Sequence, residues 1–143
     1  MLLEVLTPNK KIFSEEIDEL IVNTTNGQIG ILPNHAQLVT RITSCEMTIK
    51  LKGKQHYFAI TGGFLEVDKN KIVIIADYAI HSEDIGAEEA MHAKKRAEEI
   101  LKRAKEDVGE SNFAIAQADL RRAVLELHVA NRRRRERSPI PQK

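Results

Sequence analysis

The sequence has no tryptophan, a single cysteine and no long apolar run. With only Cys45 the chain cannot form an internal disulfide, which fits a reducing compartment. No apolar stretch approaches the roughly 20 residues that a membrane-spanning helix needs. The N-terminus opens directly into patterned sequence, so we expect no signal or transit peptide. Any association with a membrane should therefore come through a partner.

Motifs for catalysis, metal binding and cofactor binding are also lacking. The five histidines share no metal-ligand spacing with cysteines or carboxylates. Neither a Gly-x-x-x-x-Gly-Lys loop nor a Gly-x-Gly-x-x-Gly turn is present. Cys45 falls on the apolar side of an alternating strand pattern, which favours a core thiol over a nucleophile. Signals for an enzyme are therefore largely missing, and we expect no catalytic residue, metal site or cofactor. A small enzyme is the least favoured hypothesis, because the sequence offers no constellation for one.

The net charge of +1 hides an uneven distribution along the chain. Residues 1–82 carry 8 basic and 9 acidic side chains, and residues 83–119 carry 6 and 10. Residues 120–143 carry 8 basic side chains and only 2 acidic ones. The C-terminal segment is therefore the one part of the chain whose charge calls for an acidic partner.

Seven arginines make this end cationic: Arg121, Arg122, Arg132, Arg133, Arg134, Arg135 and Arg137. A helix C-terminus favours cations, but a run of this density exceeds that need, and mutual repulsion would fray the end. Nucleic acid is one possible partner, which would make the chain a binding module with a basic arm. The chain has no tryptophan and few aromatics for base stacking, which favours an acidic protein surface instead.

The first half of the chain has the pattern of short strands. Segments of four to nine apolar or alternating residues are separated by turn residues, and they run over 2–6, 17–25, 28–32, 45–51, 55–61, 64–67 and 72–76. Asn26-Gly27 predicts a type I′ hairpin, and Gly62-Gly63 a bulge or a close backbone approach. The sequence predicts an all-β N-terminal domain, a flattened β-sandwich or barrel.

After His81 the composition changes to that of helices. Residues 87–107 contain no glycine or proline and carry one apolar stripe, mostly alanine, with Asp84 or Gly86 as cap. Gly109 is a plausible stop, and a second helix follows, capped by Ser111 or Asn112. We expect an antiparallel helical hairpin over 83–137, less firmly held than the β-domain over 1–82, and a disordered tail over 138–143.

Three motifs resemble the epsilon subunit of F-type ATP synthases. They are Leu6-Thr7-Pro8-Asn9, the segment from Asn26 to Ala36 (Asn-Gly-Gln-Ile-Gly-Ile-Leu-Pro-Asn-His-Ala) and the segment from Gly62 to Val67 (Gly-Gly-Phe-Leu-Glu-Val). Each motif is modest, but their order and spacing, followed by an Ala/Glu/Lys/Arg-rich hairpin, are specific. The resemblance runs from about residue 2 to 131 and covers both bacterial and plastid members.

The resemblance implies a non-catalytic rotor subunit in the central stalk. The sandwich would bind the gamma subunit and the ring of c subunits, with Gln28, Asn34 and His35 facing the ring. The hairpin would fold back or extend along gamma toward the alpha/beta hexamer and inhibit ATP hydrolysis. Six of the arginines, Arg121, Arg122 and Arg132–Arg135, would meet an acidic segment of beta. The location implied is peripheral, on the cytoplasmic face of a bacterial inner membrane or the stromal face of the thylakoid.

The sequence departs from the family pattern at three places. The position of Gln28 is often acidic in the family, and Gln37 stands where a proline is usual after His-Ala. Some bacterial members bind ATP through an Asp and an Arg at the start of the first helix. Here those positions hold Gly86 and Glu89, so we expect this hairpin not to bind ATP.

Overall fold

A computed structural model describes residues 1–107 and 110–137, whose fold is ten β-strands followed by two α-helices. The strands are β1 (Leu2–Leu6), β2 (Lys11–Glu16), β3 (Glu19–Thr24), β4 (Gly27–Ile31), β5 (Leu38–Ile42), β6 (Cys45–Leu51), β7 (Lys54–Ile60), β8 (Gly63–Asp68), β9 (Lys71–Ala76) and β10 (Ala79–His81). The helices are α1 (Ala87–Asp107) and α2 (Glu110–Arg137), and a short 3-10 helix (Ser82–Asp84) precedes α1. The predicted fold class is confirmed.

All ten strands are joined in one folded-over sheet. The order is β10-β7-β6-β3-β5-β8-β9-β1-β2, and β4 pairs with β3. Every pairing is antiparallel except that of β1 with β9. Because β10 also approaches β2, the sheet nearly closes on itself and encloses a single core.

The core follows the period of two that each strand's sequence shows. Cys45, Met47 and Ile49 are buried on β6, as their alternation predicts, and Ile72 and Ile74 are buried on β9. Large side chains dominate this core. Fully buried examples are Leu3, Leu20, Ile31, Ile42, Phe58, Ile60 and Leu65.

The turn between β3 and β4 differs from the predicted one. The hairpin between β3 and β4 exists, but its two loop residues are Thr25 and Asn26, since Thr24 pairs with Gly27. The type I′ assignment to Asn26-Gly27 is therefore wrong, because Gly27 has positive φ but Asn26 does not. Both central residues do have positive φ at Lys52-Gly53 and at Lys69-Asn70, which is the type I′ requirement.

The glycine pair is a close backbone approach, as predicted. Gly63 has a φ of 137°, and a Cβ atom there would lie 2.2 Å from the carbonyl oxygen of Ile75 on the paired strand β9. No other residue type fits this position without moving the backbone.

The helical unit packs mainly through alanine. Ala90, Ala97, Ala116 and Ala123 are buried, together with Val129. The helices α1 and α2 pack against each other. Since α1 ends at Asp107 and α2 begins at Glu110, the helices can pack against each other only if they run antiparallel.

The helix ends show which caps were predicted well. Gly86 caps α1, because its carbonyl accepts a hydrogen bond from the Ala90 N–H at 2.9 Å. Ser111 and Asn112 lie inside α2 and do not cap it, because that helix begins at Glu110. The predicted stop at Gly109 and the predicted tail over 138–143 lie outside the described residues.

Residues Met1–Ser82 and Glu83–Lys143 form two compact units. In the ranges that the structure describes, neither helix is long and apolar enough to cross a membrane.

Candidate functional site

The residues expected to face a c ring lie in two places, at opposite ends of β4. Gln28 is the second residue of β4, and its Nε2 donates to Asn23 Oδ1 at 3.1 Å across the β3–β4 hairpin. Asn34 and His35 follow the other end of the strand. Since a strand rises about 3.3 Å per residue, the length of β4 separates Gln28 from the other two. The three residues do not form one continuous loop surface.

The loop after β4 is held by hydrogen bonds from main chain and side chains. The Asn34 N–H donates to Asn70 Oδ1 at 2.9 Å, and Asn34 has a φ of 64°, which asparagine tolerates. The His35 N–H donates to the Leu32 carbonyl at 3.2 Å. Gln37, where a proline was expected, donates to Asp68 Oδ1. A proline would restrict the backbone at this position by fixing φ. Here the hydrogen bond from the Gln37 side chain holds the loop instead.

The basic residues form two groups along α2. Arg121 and Arg132 are eleven residues apart, which is about 16 Å along a helix and only about 20° around it. Arg122 and Arg133 have the same relation, so these four residues lie along one broad side of the helix. Arg134 and Arg135 continue around the helix, at about 100° per residue. The first group is partly neutralised, because Arg122 Nε lies 3.2 Å from Glu126 Oε1 one turn later. The second group, Arg132–Arg135, is exposed apart from the half-buried Arg133.

At the start of α1, the positions of the family's ATP motif are occupied by a helix cap. Gly86 is the cap residue, and the Glu89 carboxylate folds back toward it, so that a Cβ at Gly86 would lie 3.5 Å from Glu89 Oε2. This places negative charge at the positive end of the helix dipole. A phosphate would be repelled at the place where the family motif supplies an arginine.

An exposed apolar surface on the sandwich was missed by the sequence analysis. Val39 on β5, Phe64 on β8 and Ile75 on β9 are 73%, 58% and 57% exposed. Phe64 pairs with Ile75 across the β8–β9 ladder, and Arg41 on β5 pairs with Phe64. These residues share the outer side of three adjacent strands, which we call the outer face. Exposed large apolar side chains clustered in this way mark an interaction surface.

The hairpin also exposes large apolar side chains. They are Met91 and Ile100 on α1, and Phe113, Ile115 and Val124 on α2. Alanines fill the buried positions while these larger residues face solvent, the reverse of what a permanently folded hairpin needs. This unit therefore carries apolar area that another partner could bury.

Cys45 is a core residue, as predicted. Its side chain is buried, and burial raises the pKa of the thiol above its ordinary value. A neutral, inaccessible thiol is a poor nucleophile. No group of three or more histidine, cysteine or carboxylate side chains is arranged for a metal ion within 1–107 and 110–137.

Family models match both parts of the chain. Residues 1–82 match "ATP synthase, Delta/Epsilon chain, beta-sandwich domain", and residues 83–131 match "ATP synthase, Delta/Epsilon chain, long alpha-helix domain". The chain is 37% identical to the ATP synthase epsilon chain of Dehalococcoides mccartyi over 93% of this chain and 94% of that one. It is 38% identical to the chloroplastic epsilon chain of Pinus koraiensis over 93% of this chain and 87% of that one.

A solved structure shares the fold. A chain in the Euglena gracilis mitochondrial ATP synthase (OSCP/F1/c-ring) superposes with a TM-score of 0.72 at 20% identity, covering 90% of this chain and 79% of that chain.

Proposed function

This chain belongs to the ATP synthase epsilon chain family, whose members are non-catalytic subunits, and from that premise we propose that it is a rotor subunit of the central stalk. In this role the sandwich couples rotation of the c ring to the catalytic hexamer, and the hairpin restrains ATP hydrolysis. The observation that carries the proposal is the pairing of a rigid sandwich with a hairpin that buries alanine and exposes larger apolar residues. The family favours an acidic protein segment over nucleic acid as partner of the arginines.

The outer face suits the gamma subunit. A stalk contact that transmits torque must be permanent, and permanent interfaces bury aromatic and aliphatic side chains. Val39, Phe64 and Ile75 supply such side chains on adjacent strands whose backbones are fixed by ladder hydrogen bonds. A rigid sheet loses little conformational entropy when it binds, which favours a stable complex.

The loop residues suit contact with the c ring. Gln28, Asn34 and His35 carry polar groups, with Gln28 near one end of β4 and the other two beyond its other end. The strand would therefore lie along the contact with the ring. Gln28 hydrogen-bonds without charge where the family often has a carboxylate. The contact at this end is therefore less sensitive to salt than at an acidic position.

The hairpin suits a two-state inhibitor. Arg121 and Arg122 share one side of α2 with Arg132 and Arg133. An acidic segment of beta could therefore engage residues of both groups together. Each exposed ion pair contributes only about 0.2–1 kcal/mol, but several acting together can shift an equilibrium between two hairpin states that differ by a few kcal/mol. The exposed apolar residues of the hairpin would be buried in the inhibitory state.

The location that follows is peripheral. The chain would reach the membrane through gamma and the c ring, on the cytoplasmic face of a bacterial inner membrane or the stromal face of the thylakoid.

Reconstitution with the catalytic complex tests the proposal. F1 lacking its own epsilon subunit is combined with the full chain, with residues 1–82, or with the full chain in which the six arginines are replaced by alanine. We expect all three to bind, and only the unmodified full chain to inhibit ATP hydrolysis at low salt. Absence of binding by the full chain, or equal inhibition by all three, would contradict the proposal.

A further inference from the structure

Two charges of opposite sign lie within the apolar outer face. Arg41 on β5 is opposite Phe64 on β8. Two residues along these strands, Val39 is opposite Glu66, and this pair points to the same side of the sheet. The four side chains form a block in which the charges occupy one diagonal and the apolar groups the other. All four are exposed.

Neither charge is paired with another charge in the part of the chain that the structure describes. Across the ranges 1–107 and 110–137, the side chains of Arg41 and Glu66 make no hydrogen bond or ion pair with another described residue. As diagonal neighbours they lie about 7–8 Å apart, which is within reach of a long side chain. They nevertheless do not form an ion pair with each other.

A third charged residue on the same side of the sheet, Glu4, does form ion pairs within the protein. Glu66 pairs with Val73 on β9, and Val73 pairs with Glu4 on β1, so Glu4 lies on the same row two strands away. Glu4 is held by Lys71 at 3.0 Å and by Lys11 at 3.3 Å. Lysines of the sheet thus neutralise Glu4, at the margin of the apolar cluster. Arg41 and Glu66, inside the cluster, have no such ion pair with a described residue.

A partner that covers the outer face must remove water from both open charges. Burial of an unpaired charge opposes binding, whereas a complementary group on the partner offsets the lost hydration and fixes the orientation of the complex. We infer that Arg41 and Glu66 determine the docking register of gamma on this face, with an acidic group of gamma opposite Arg41 and a basic group opposite Glu66. This inference rests on the proposed function, because it takes gamma as the occupant.

Charge reversal distinguishes two possibilities. Either Arg41 and Glu66 each contact an opposite charge on gamma, or they interact only with each other within the sandwich. Binding to purified gamma in its complex with alpha and beta is measured for the parent chain, Arg41→Glu, Glu66→Arg and the double reversal. Lys54→Glu, an exposed reversal at the start of β7 and away from the outer face, is the control. Urea midpoints of all variants check that the sandwich is intact.

We expect each single reversal on the outer face to weaken binding about 30-fold or more, and the control to stay within about twofold. The double reversal should bind no better than the weaker single variant, because both groups of gamma then face like charges. Recovery of affinity in the double reversal would show that Arg41 and Glu66 pair with each other, and would overturn the inference. Parent-like binding by both single variants would overturn it too, while leaving the proposed function standing. Absence of binding by the parent chain would overturn both.

Discussion

The β-sandwich and the helical hairpin bury different kinds of side chain. The sandwich encloses Leu, Ile, Met and Phe side chains that are completely removed from water, whereas the described hairpin residues that are buried are four alanines and one valine. At about 0.8 kcal/mol for each buried CH₂ group, a leucine contributes far more than an alanine. Burial of larger side chains concentrates stability in the sandwich, the part that carries torque under the proposed function. Under the same proposal, the hairpin is held weakly enough for a partner to change its state.

The largest effect is expected at the close approach of β8 and β9. Gly63→Ala should destabilise the sandwich by about 3 kcal/mol or more, because the new Cβ would lie 2.2 Å from the Ile75 carbonyl oxygen. Gly27→Ala is the matched control. Gly27 also has positive φ, but no atom lies within 4 Å of its Cβ position, so the cost should be about 1–2 kcal/mol. Urea denaturation measures both, and equal losses would contradict the steric explanation.

Core substitutions should separate the two units. Leu65→Ala removes a fully buried side chain from the sandwich and should cost about 2–5 kcal/mol. Val129→Ala, in the hairpin, should cost about 1–2 kcal/mol. Both tyrosines, Tyr57 and Tyr78, lie in the sandwich, so tyrosine fluorescence follows that unit while circular dichroism at 222 nm follows the helices.

Leu65→Ala should shift the fluorescence transition more than Val129→Ala does, and Val129→Ala should shift mainly the helical signal. Coincident shifts of both signals in both variants would show that the two units unfold as one.

A smaller effect is expected from pH. Hydrogen bonds from Lys71 and then Lys11 hold the pKa of Glu4 below its usual range. Because the pKa is lower in the folded chain, the stabilisation is present above the unfolded value of about 4.3 and is lost as the pH falls through the folded pKa. Glu4→Gln should therefore lower the urea midpoint slightly at pH 7 and have little effect at acid pH.

Glu15→Gln is the control for this prediction, since Glu15 is exposed and makes no ion pair with a described residue. An equal loss in both variants, unchanged with pH, would refute the role of the two lysines.

The smallest effect is expected from ATP. The cap at Gly86 and the carboxylate of Glu89 leave no cation where the family motif has one, so ATP should not change the melting of the helical signal. Calorimetry of the isolated chain with ATP is the direct measurement. A saturable isotherm with one site, abolished by Arg122→Ala, would show that the hairpin does respond to a nucleotide.

Strands are predicted best from the sequence where one face of the strand is buried and the other is exposed to solvent. β1, β6 and β9 show that alternation and were found. β5 was missed because Val39 and Arg41 point outward while Thr40 is half-buried, so apolar and polar residues do not alternate with burial. The outer face escaped notice for the same reason. In a sequence, an apolar residue that contacts a partner cannot be distinguished from one that packs in the core.

Turn geometry and site geometry depended on pairing that a sequence does not display. Asn26-Gly27 indicated a hairpin correctly, but the Thr24–Gly27 pairing moves the loop by one residue. The resemblance named Gln28 together with Asn34 and His35, yet it could not show that a whole strand separates them. The β2 strand lacks alternation because it is an edge strand with mostly exposed side chains.

Native-state hydrogen exchange of the full chain tests the central difference between the units most directly. Amides of β6, β8 and β9 should exchange only through global unfolding of the sandwich. Amides of α1 and α2 should exchange through a separate opening whose free energy is lower by about 2 kcal/mol or more. A single opening free energy shared by strands and helices would contradict the account, because the hairpin would then be as firmly held as the sandwich and could not act as a two-state element.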